Sequence, residues 1–229
     1  MEPSRPRLVP PANDHRGVLV WDWPEPGRAL SSASVGGGWA RPRWAINLGV
    51  PLDYARTDLA AHAAEVVLRL GLDGPGVALF TAADVSRRRR GDAGGVTVDA
   101  TVGITKPTWA ADPDGGWSDW NPWHGPIEPD HPAPHPAGGG SPPRPGTINL
   151  VAQLPVGLEA GAFVNAVMTM TEAKTQALIE AGVPGTGTAS DAVLVVCPEP
   201  GRRERFTGPR SPWGARLAQA THTAVTAGL

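Results

Sequence analysis

The chain has 229 residues, 41% of them apolar, which suffices for one sizeable core or two small ones. A formal net charge of -2 excludes a general attraction to nucleic acid or to an anionic membrane, since either needs an extended basic surface. The single cysteine, Cys197, excludes an internal disulfide; with no signal-peptide-like stretch in the first twenty residues and no uninterrupted apolar run of about 18, the expectation is a cytoplasmic protein, off the membrane, with a small-molecule partner.

Residues 1–16 are Pro-rich and polar and read as a flexible N-terminus. VLVWDW (18–23), ALSSASV (29–35) and RWAINLGV (43–50), separated by Pro and Gly, are predicted strands. In SSASVGGGW (31–39), Gly36, Gly37 and Gly38 remove side-chain obstruction, so backbone N–H groups could meet a polar ligand. The pattern matches neither nucleotide fingerprint, and a plain tight turn explains it equally well. A helix is predicted over DLAAHAAEVVLRLGL (58–72), where Leu59, Val66, Val67 and Leu70 recur near helical period, Thr57 can cap and Gly71 can stop the turn. VALFTA (77–82) and GVTVDATVG (95–103) are predicted strands, the second alternating as a half-buried strand does. Between them RRRR (87–90), bracketed by Asp84 and Asp92 and without aromatic interleaving, reads as a solvated face.

From Lys106 to Pro145 periodicity disappears, and Trp, His, Pro and Gly dominate. The segment 106–145 reads as a loop excursion from one domain, 17–229, because the predicted strand TINLVAQLP (147–155) resumes directly after it. His124, His131 and His135 lie in it, but Pro132, Pro134 and Pro136 forbid the helix that would align the last two, so no metal is expected. Trp109, Trp117, Trp120 and Trp123 are costly to leave in water and are expected to cover something flat and apolar, the protein itself or a macrocyclic ligand.

A long helix is predicted over 158–181, ended by Gly182. On a wheel Phe163, Val167, Met170 and Leu178 form an apolar arc with Lys174 near its middle, while Asn165, Thr169, Glu172 and Gln176 gather opposite. A lysine so placed must snorkel, pair or shift its pKa, and Thr171 lies three residues before it. DAVLVVC (191–197) is a predicted buried strand, and GTGTASDAV (185–193) sets Thr188, Ser190 and Asp191 at its mouth. A final helix is predicted over 213–227. The fold class expected is α/β or α+β, a single domain with a mixed sheet, about three helices and a long Trp/Pro/Gly-rich loop.

GTINLV, then NAVMTMTEAKTQAL, then GTGTASDAVLVVCP, in that order and spacing, resemble the adenosylcobinamide amidohydrolase family. LSSASVGGG, NLGVPLDY and LFTAADV are similar to its upstream blocks, so the likeness spans residues 18–225 apart from the central loop. The resemblance implies hydrolysis of the amide joining the corrin side chain to its aminopropanol arm, which gives adenosylcobyric acid in corrinoid salvage. The corrinoid is then substrate, and no cofactor is implied. Polar residues of the blocks are the implied substrate contacts: Ser31, Ser32, Gly36, Gly37 and Gly38 in the first; Asn47 in the second; Thr81 and Asp84 in the third; Thr147, Asn149 and Asn165 downstream. This chain departs from the family pattern at GITKP, where Lys106 stands at a position often held by Asn, and in the expanded loop that follows.

Amide hydrolysis needs an attacking oxygen, a base, an acid for the leaving amine and donors for the oxyanion. Thr188 or Ser190 could attack or hold water; Lys174, Glu172 and Asp191 could move protons; the three glycines could supply backbone donors. Glu172 and Lys174 diverge by about 160° on the wheel, which favours Lys174, Thr171 and Asp191 as one set. A non-catalytic corrinoid-binding module, a self-processing amidase with a Thr nucleophile, and a homo-oligomeric state stay open.

Overall fold

The computed structural model describes residues 3–111, 146–199 and 201–229. Its strands are β1 (Arg7–Val9), β2 (Val18–Asp22), β3 (Arg28–Ser31), β4 (Gly38–Ala40) and β5 (Trp44–Gly49), followed by helix α1 (Leu59–Leu70) and β6 (Gly76–Thr81). A 3-10 turn (Val85–Arg87) leads to β7 (Arg89–Ala93), β8 (Val96–Gly103), β9 (Thr147–Gln153) and β10 (Gly157–Leu158). Helix α2 (Ala160–Glu180), β11 (Ala192–Cys197), β12 (Arg203–Glu204) and helix α3 (Pro212–Thr226) complete the order. No helix among the described residues is long and apolar enough to cross a membrane.

The strands form a four-stranded sheet, β1-β2-β5-β6, a six-stranded sheet, β4-β3-β11-β9-β8-β7, and a small β10-β12 pair. Both large sheets are mixed: β5 and β6 run parallel around the α1 crossover, and β9 and β11 run parallel around α2. Side-chain alternation stacks these elements into four layers. Val18, Val20, Ile46, Leu48 and Ala78 face α1, whereas Leu19, Trp21, Ala45, Val77 and Leu79 face the other sheet. From the six-stranded sheet, Val151, Leu194 and Val196 meet them, and Ile148, Leu150, Val193, Val195 and Cys197 pack under α2 and α3.

The alternation of β8 identifies the strand but not its surroundings. Val96, Val98 and Ala100 face the helices, while Thr97, Asp99 and Thr101 face the buried layer between the sheets and not solvent. Asp99 accepts from Trp21 Nε1 at 3.1 Å, and Gln153 of β9 accepts from Trp23 Nε1 at 3.0 Å, so these buried indoles keep hydrogen-bond partners. The arginine run departs from the expectation of a solvated face for the same reason. Arg87 and Arg89 are exposed, but the β7–β8 register sets Arg90 opposite Asp99, and Arg88 and Arg90 both pair with its carboxylate.

Two further expectations shift. Arg7–Val9, read as part of a flexible terminus, pairs with β2 as an edge strand. The residue before α1 is Asp58 and not Thr57; its side chain makes no cap bond because Arg56 engages both carboxylate oxygens. Gly71 does close the helix, in the left-handed region at φ 64°. Gly91 is where β7 meets α3, since a Cβ there would overlap the Ala220 carbonyl oxygen.

Candidate active site

A cleft of about 270 Å³ opens at one end of the two sheets, where the C-terminal ends of β5 and β6 meet the starts of β9 and β11. Crevices beyond the carboxyl ends of parallel strands are where open α/β sheets bind ligands. Leu79, Phe80, Val50, Leu59 and Ala192 give it apolar walls, and Tyr54, Arg56, Thr81, Thr147 and Ser190 bring polar groups. A depression on α2, lined by Thr171, Glu172, Thr175, Gln176, Ile179 and Glu180, comes from one helix face alone. Convergence from separate elements makes the sheet-end cleft the stronger candidate.

Thr147 opens β9 and Ser190 precedes β11, so the parallel pairing of those strands sets their hydroxyls 2.8 Å apart. Ser190 Oγ also donates to the Gly146 carbonyl at 3.3 Å, which orients the pair. Below them a polar relay crosses the sheets: Asn149 Nδ2 donates to Asn47 Oδ1 and to Phe80 O, both at 2.9 Å, and Asn47 Nδ2 donates to Thr101 Oγ1 at 2.8 Å. Asn149 Oδ1 is buried without a hydrogen-bond partner. Thr81 Oγ1 accepts from Ala83 N at 3.0 Å and so tightens the cleft rim.

Ser190 and Ala192 line the cleft, while Asp191 between them turns towards α2, where its Oδ2 meets Lys174 Nζ at 2.5 Å. Ile148 N donates to Asp191 Oδ1 at 2.9 Å, and Thr188 donates through both its N–H and its hydroxyl. The near-buried pair of Lys174 and Asp191 therefore locks the 188–191 turn from the helix side of the sheet. Gly187 sits against both side chains, leaving no room for a Cβ.

Other residues named from the sequence lie elsewhere. Thr171 and Glu172 are exposed on α2, with Thr171 Oγ1 donating to Val167 O of its own helix. Thr169, assigned by the wheel to the polar face, is buried and donates to Thr207 O at 2.9 Å. Asn165 is half-buried on α2 and does not line the cleft. Asp84 caps the 3-10 turn through Ser86. Ser31 and Ser32 tie their loop to Val193 of β11. Gly36 and Gly37 pack where a Cβ would meet the Gly76 and Ala33 carbonyls, so close backbone approach accounts for them; Gly38 meets nothing. Lys106 is exposed, as is Trp109; Trp117, Trp120, Trp123 and the loop histidines lie outside the described residues.

Tyr54 closes the NLGVPLDY block, but neither it nor Arg56 and His62 is marked by the sequence as a site residue. Tyr54 is the only tyrosine of the chain, and its hydroxyl lies 2.7 Å from His62 Nδ1. Burial pushes the Tyr54 phenol above its ordinary pKa. Arg56 is held in the charged form by hydrogen bonds to Asp58 and Glu65.

The family model described as adenosylcobinamide amidohydrolase matches residues 7–229. A protein of that name from Halobacterium salinarum is 32% identical over 222 residues, covering 94% of this chain and 85% of the relative. Another from Methanosarcina mazei is 32% identical over 93 residues, covering 37% of this chain and 46% of the relative. A solved Pyrococcus horikoshii protein is similar at 12% identity with a TM-score of 0.38, over 100% of this chain and 81% of its own. The family match over residues 7–229, together with a relative 32% identical over 94% of the chain, shows that the chain belongs to the adenosylcobinamide amidohydrolase family.

Proposed function

We propose that this enzyme hydrolyses the amide between the corrin side chain of adenosylcobinamide and its aminopropanol arm, releasing adenosylcobyric acid for salvage. Family membership supports the reaction class, and the observation that carries the site is the Thr147–Ser190 hydroxyl pair in the sheet-end cleft. The cleft volume, about 270 Å³, lies below the range of about 300–1,000 Å³ usual for pockets that enclose a drug-sized ligand. It suits the amide arm, with the macrocycle outside.

In this reading Ser190 and Thr147 present the attacking oxygen, their own or that of a water they hold. The Lys174–Asp191 pair and Thr188 position them by fixing the turn that carries Ser190. No cofactor takes part, since the corrinoid is the substrate. Purified protein without added nucleotide or metal is expected to release aminopropanol and adenosylcobyric acid from adenosylcobinamide, measured by mass spectrometry. Tight binding without turnover across a broad pH range would instead identify a corrinoid-binding module. Finding one intact chain of 23.8 kDa in the active preparation would exclude a self-processing amidase.

A further inference from the structure

We propose that Tyr54 gives the departing amine its proton, and that His62 and Asp14 position and reload it. The inference rests on the amide hydrolysis proposed above and supplies the proton donor that Thr147 and Ser190 do not. An alkylamine leaves poorly as an anion, so the C–N bond breaks readily only as the nitrogen is protonated.

Among the residues lining the cleft, Tyr54 is the one whose hydroxyl is joined to a buried imidazole. His62, on α1, is 1% exposed; its Nδ1 meets Tyr54 Oη at 2.7 Å, and its Nε2 faces Asp14 Oδ2 at 3.7 Å without a hydrogen bond of its own. Asp14 is in turn paired with Arg69. Burial acts to raise the Asp14 pKa, but Arg69 outweighs it and keeps the carboxyl below its ordinary value, so it remains an anion beside the imidazole. His15, Asp58 and Glu65 are the other titratable groups whose charge reaches His62. Tyr54 stacks on Phe80, another cleft residue, at 6.3 Å between ring centroids, and on His62 at 5.5 Å, which fixes the phenol in place. A phenol-imidazole-carboxylate line, with the imidazole buried between a half-buried phenol and a half-buried carboxylate, ending in a cleft that suits the amide arm, has the form of a proton relay.

The steps balance. As the attacking oxygen bonds to the amide carbon it loses a proton to Tyr54 Oη, which passes its own to His62 Nδ1; Asp14 stabilises the imidazolium. When the C–N bond breaks, its electron pair stays on nitrogen, which takes the Tyr54 proton as His62 returns one to the phenol. One water is consumed overall, and the relay ends as it began.

The test uses two corrinoid substrates with the same acyl part, adenosylcobinamide and the nitrophenyl ester of adenosylcobyric acid, whose leaving group departs without a proton. Tyr54→Phe keeps the stacked ring and removes the hydroxyl. It is expected to lower kcat on the amide by about a hundredfold or more, with KM nearly unchanged, and to lower kcat on the ester by at least about tenfold less. His62→Gln is expected to give the same split. Equal losses on both substrates, or full activity of Tyr54→Phe on the amide, would overturn the inference while leaving the proposed function intact. A wild-type enzyme inactive on both would overturn the proposed function itself.

Discussion

Ser190 and Asp191 are neighbours in the chain with opposite surroundings, one facing the cleft and the other facing α2. That separation gives their substitutions different signatures. Ser190→Ala removes one hydroxyl from the cleft wall and should leave the melting temperature nearly unchanged, while kcat on adenosylcobinamide falls by about a hundredfold, the scale for losing a group that acts on the reacting atoms. Thr147→Val, which keeps the branched shape, should do the same; an active double variant would remove both hydroxyls from the mechanism. Lys174→Met leaves the Asp191 carboxylate near-buried without its counter-charge, a loss of about 3 kcal/mol on the scale of broken buried pairs. It should therefore lower the melting temperature as well as kcat, by slackening the 188–191 turn. If the folded variant keeps wild-type kcat, the pair is structural alone. The sequence made Lys174 conspicuous because a cation interrupts an apolar arc, and the motif order drew attention to Asp191. Tyr54 closes a family block, but its pairing with His62 was not legible, since eight residues separate them and only the return of α1 onto the β5–α1 loop brings phenol and imidazole together.

At the scale of elements, hydrophobic period located the core strands and the three helices within a few residues, because burial on one face is a local signal. The short strands β1, β4, β7, β10 and β12 were not legible, since their pairing is set by neighbours distant in sequence. Asp99 illustrates the point: its value lies in Arg88, Arg90 and Trp21, which join β7, β8 and β2. Asp99→Asn should cost about 2–3 kcal/mol, less than the 3–5 of a fully buried pair because the arginines keep some water. A guanidinium melt showing no change in midpoint would refute it. The Arg56 clasp on Asp58 and Glu65, at the start of α1, gives a pH prediction. Hydrogen bonds from Arg56 lower both carboxyl pKa values, Asp58 to about 2, from ordinary values of 3.8 and 4.5. Groups with depressed folded pKa values contribute stability above their unfolded pKa and lose it as pH falls through the folded one. The melting temperature of the wild type should fall between pH 4.5 and pH 2 more steeply than that of Arg56→Met, both measured in one buffer series. Parallel curves would mean that the clasp contributes nothing to stability, the usual result for exposed pairs.

For the whole molecule, the resemblance of the ordered motifs carried the family, and alternating strands and helices carried the fold class, but not the stacking of two sheets between helical layers. The reason lies in β8, whose alternation reads as that of a half-buried strand, and in β9: their polar residues lie in the interior between the sheets, where Asp99, Thr101, Asn149 and Gln153 hydrogen-bond to groups of the other sheet. Each large sheet is consequently covered on both faces, and the buried stretch of β11 that follows Ala192, at the middle of the six-stranded sheet, is reached by solvent only when the layers separate. Cys197 at its end reports that event. Its thiol is fully buried beneath the helices, and burial pushes its pKa up to about 11, so the native state offers neither access nor thiolate. Labelling by a thiol-reactive disulfide at pH 8 should be slow in the native protein. In the regime where reclosing outpaces labelling, the rate should track the global unfolding equilibrium, rising with urea along the slope of the equilibrium melt. Asp99→Asn should accelerate it by the factor its stability loss dictates, about 30- to 160-fold for 2–3 kcal/mol. Rapid labelling of wild type without denaturant, at a rate indifferent to that substitution, would show that β11 is exposed by a local opening beneath α2 and not by separation of the layers.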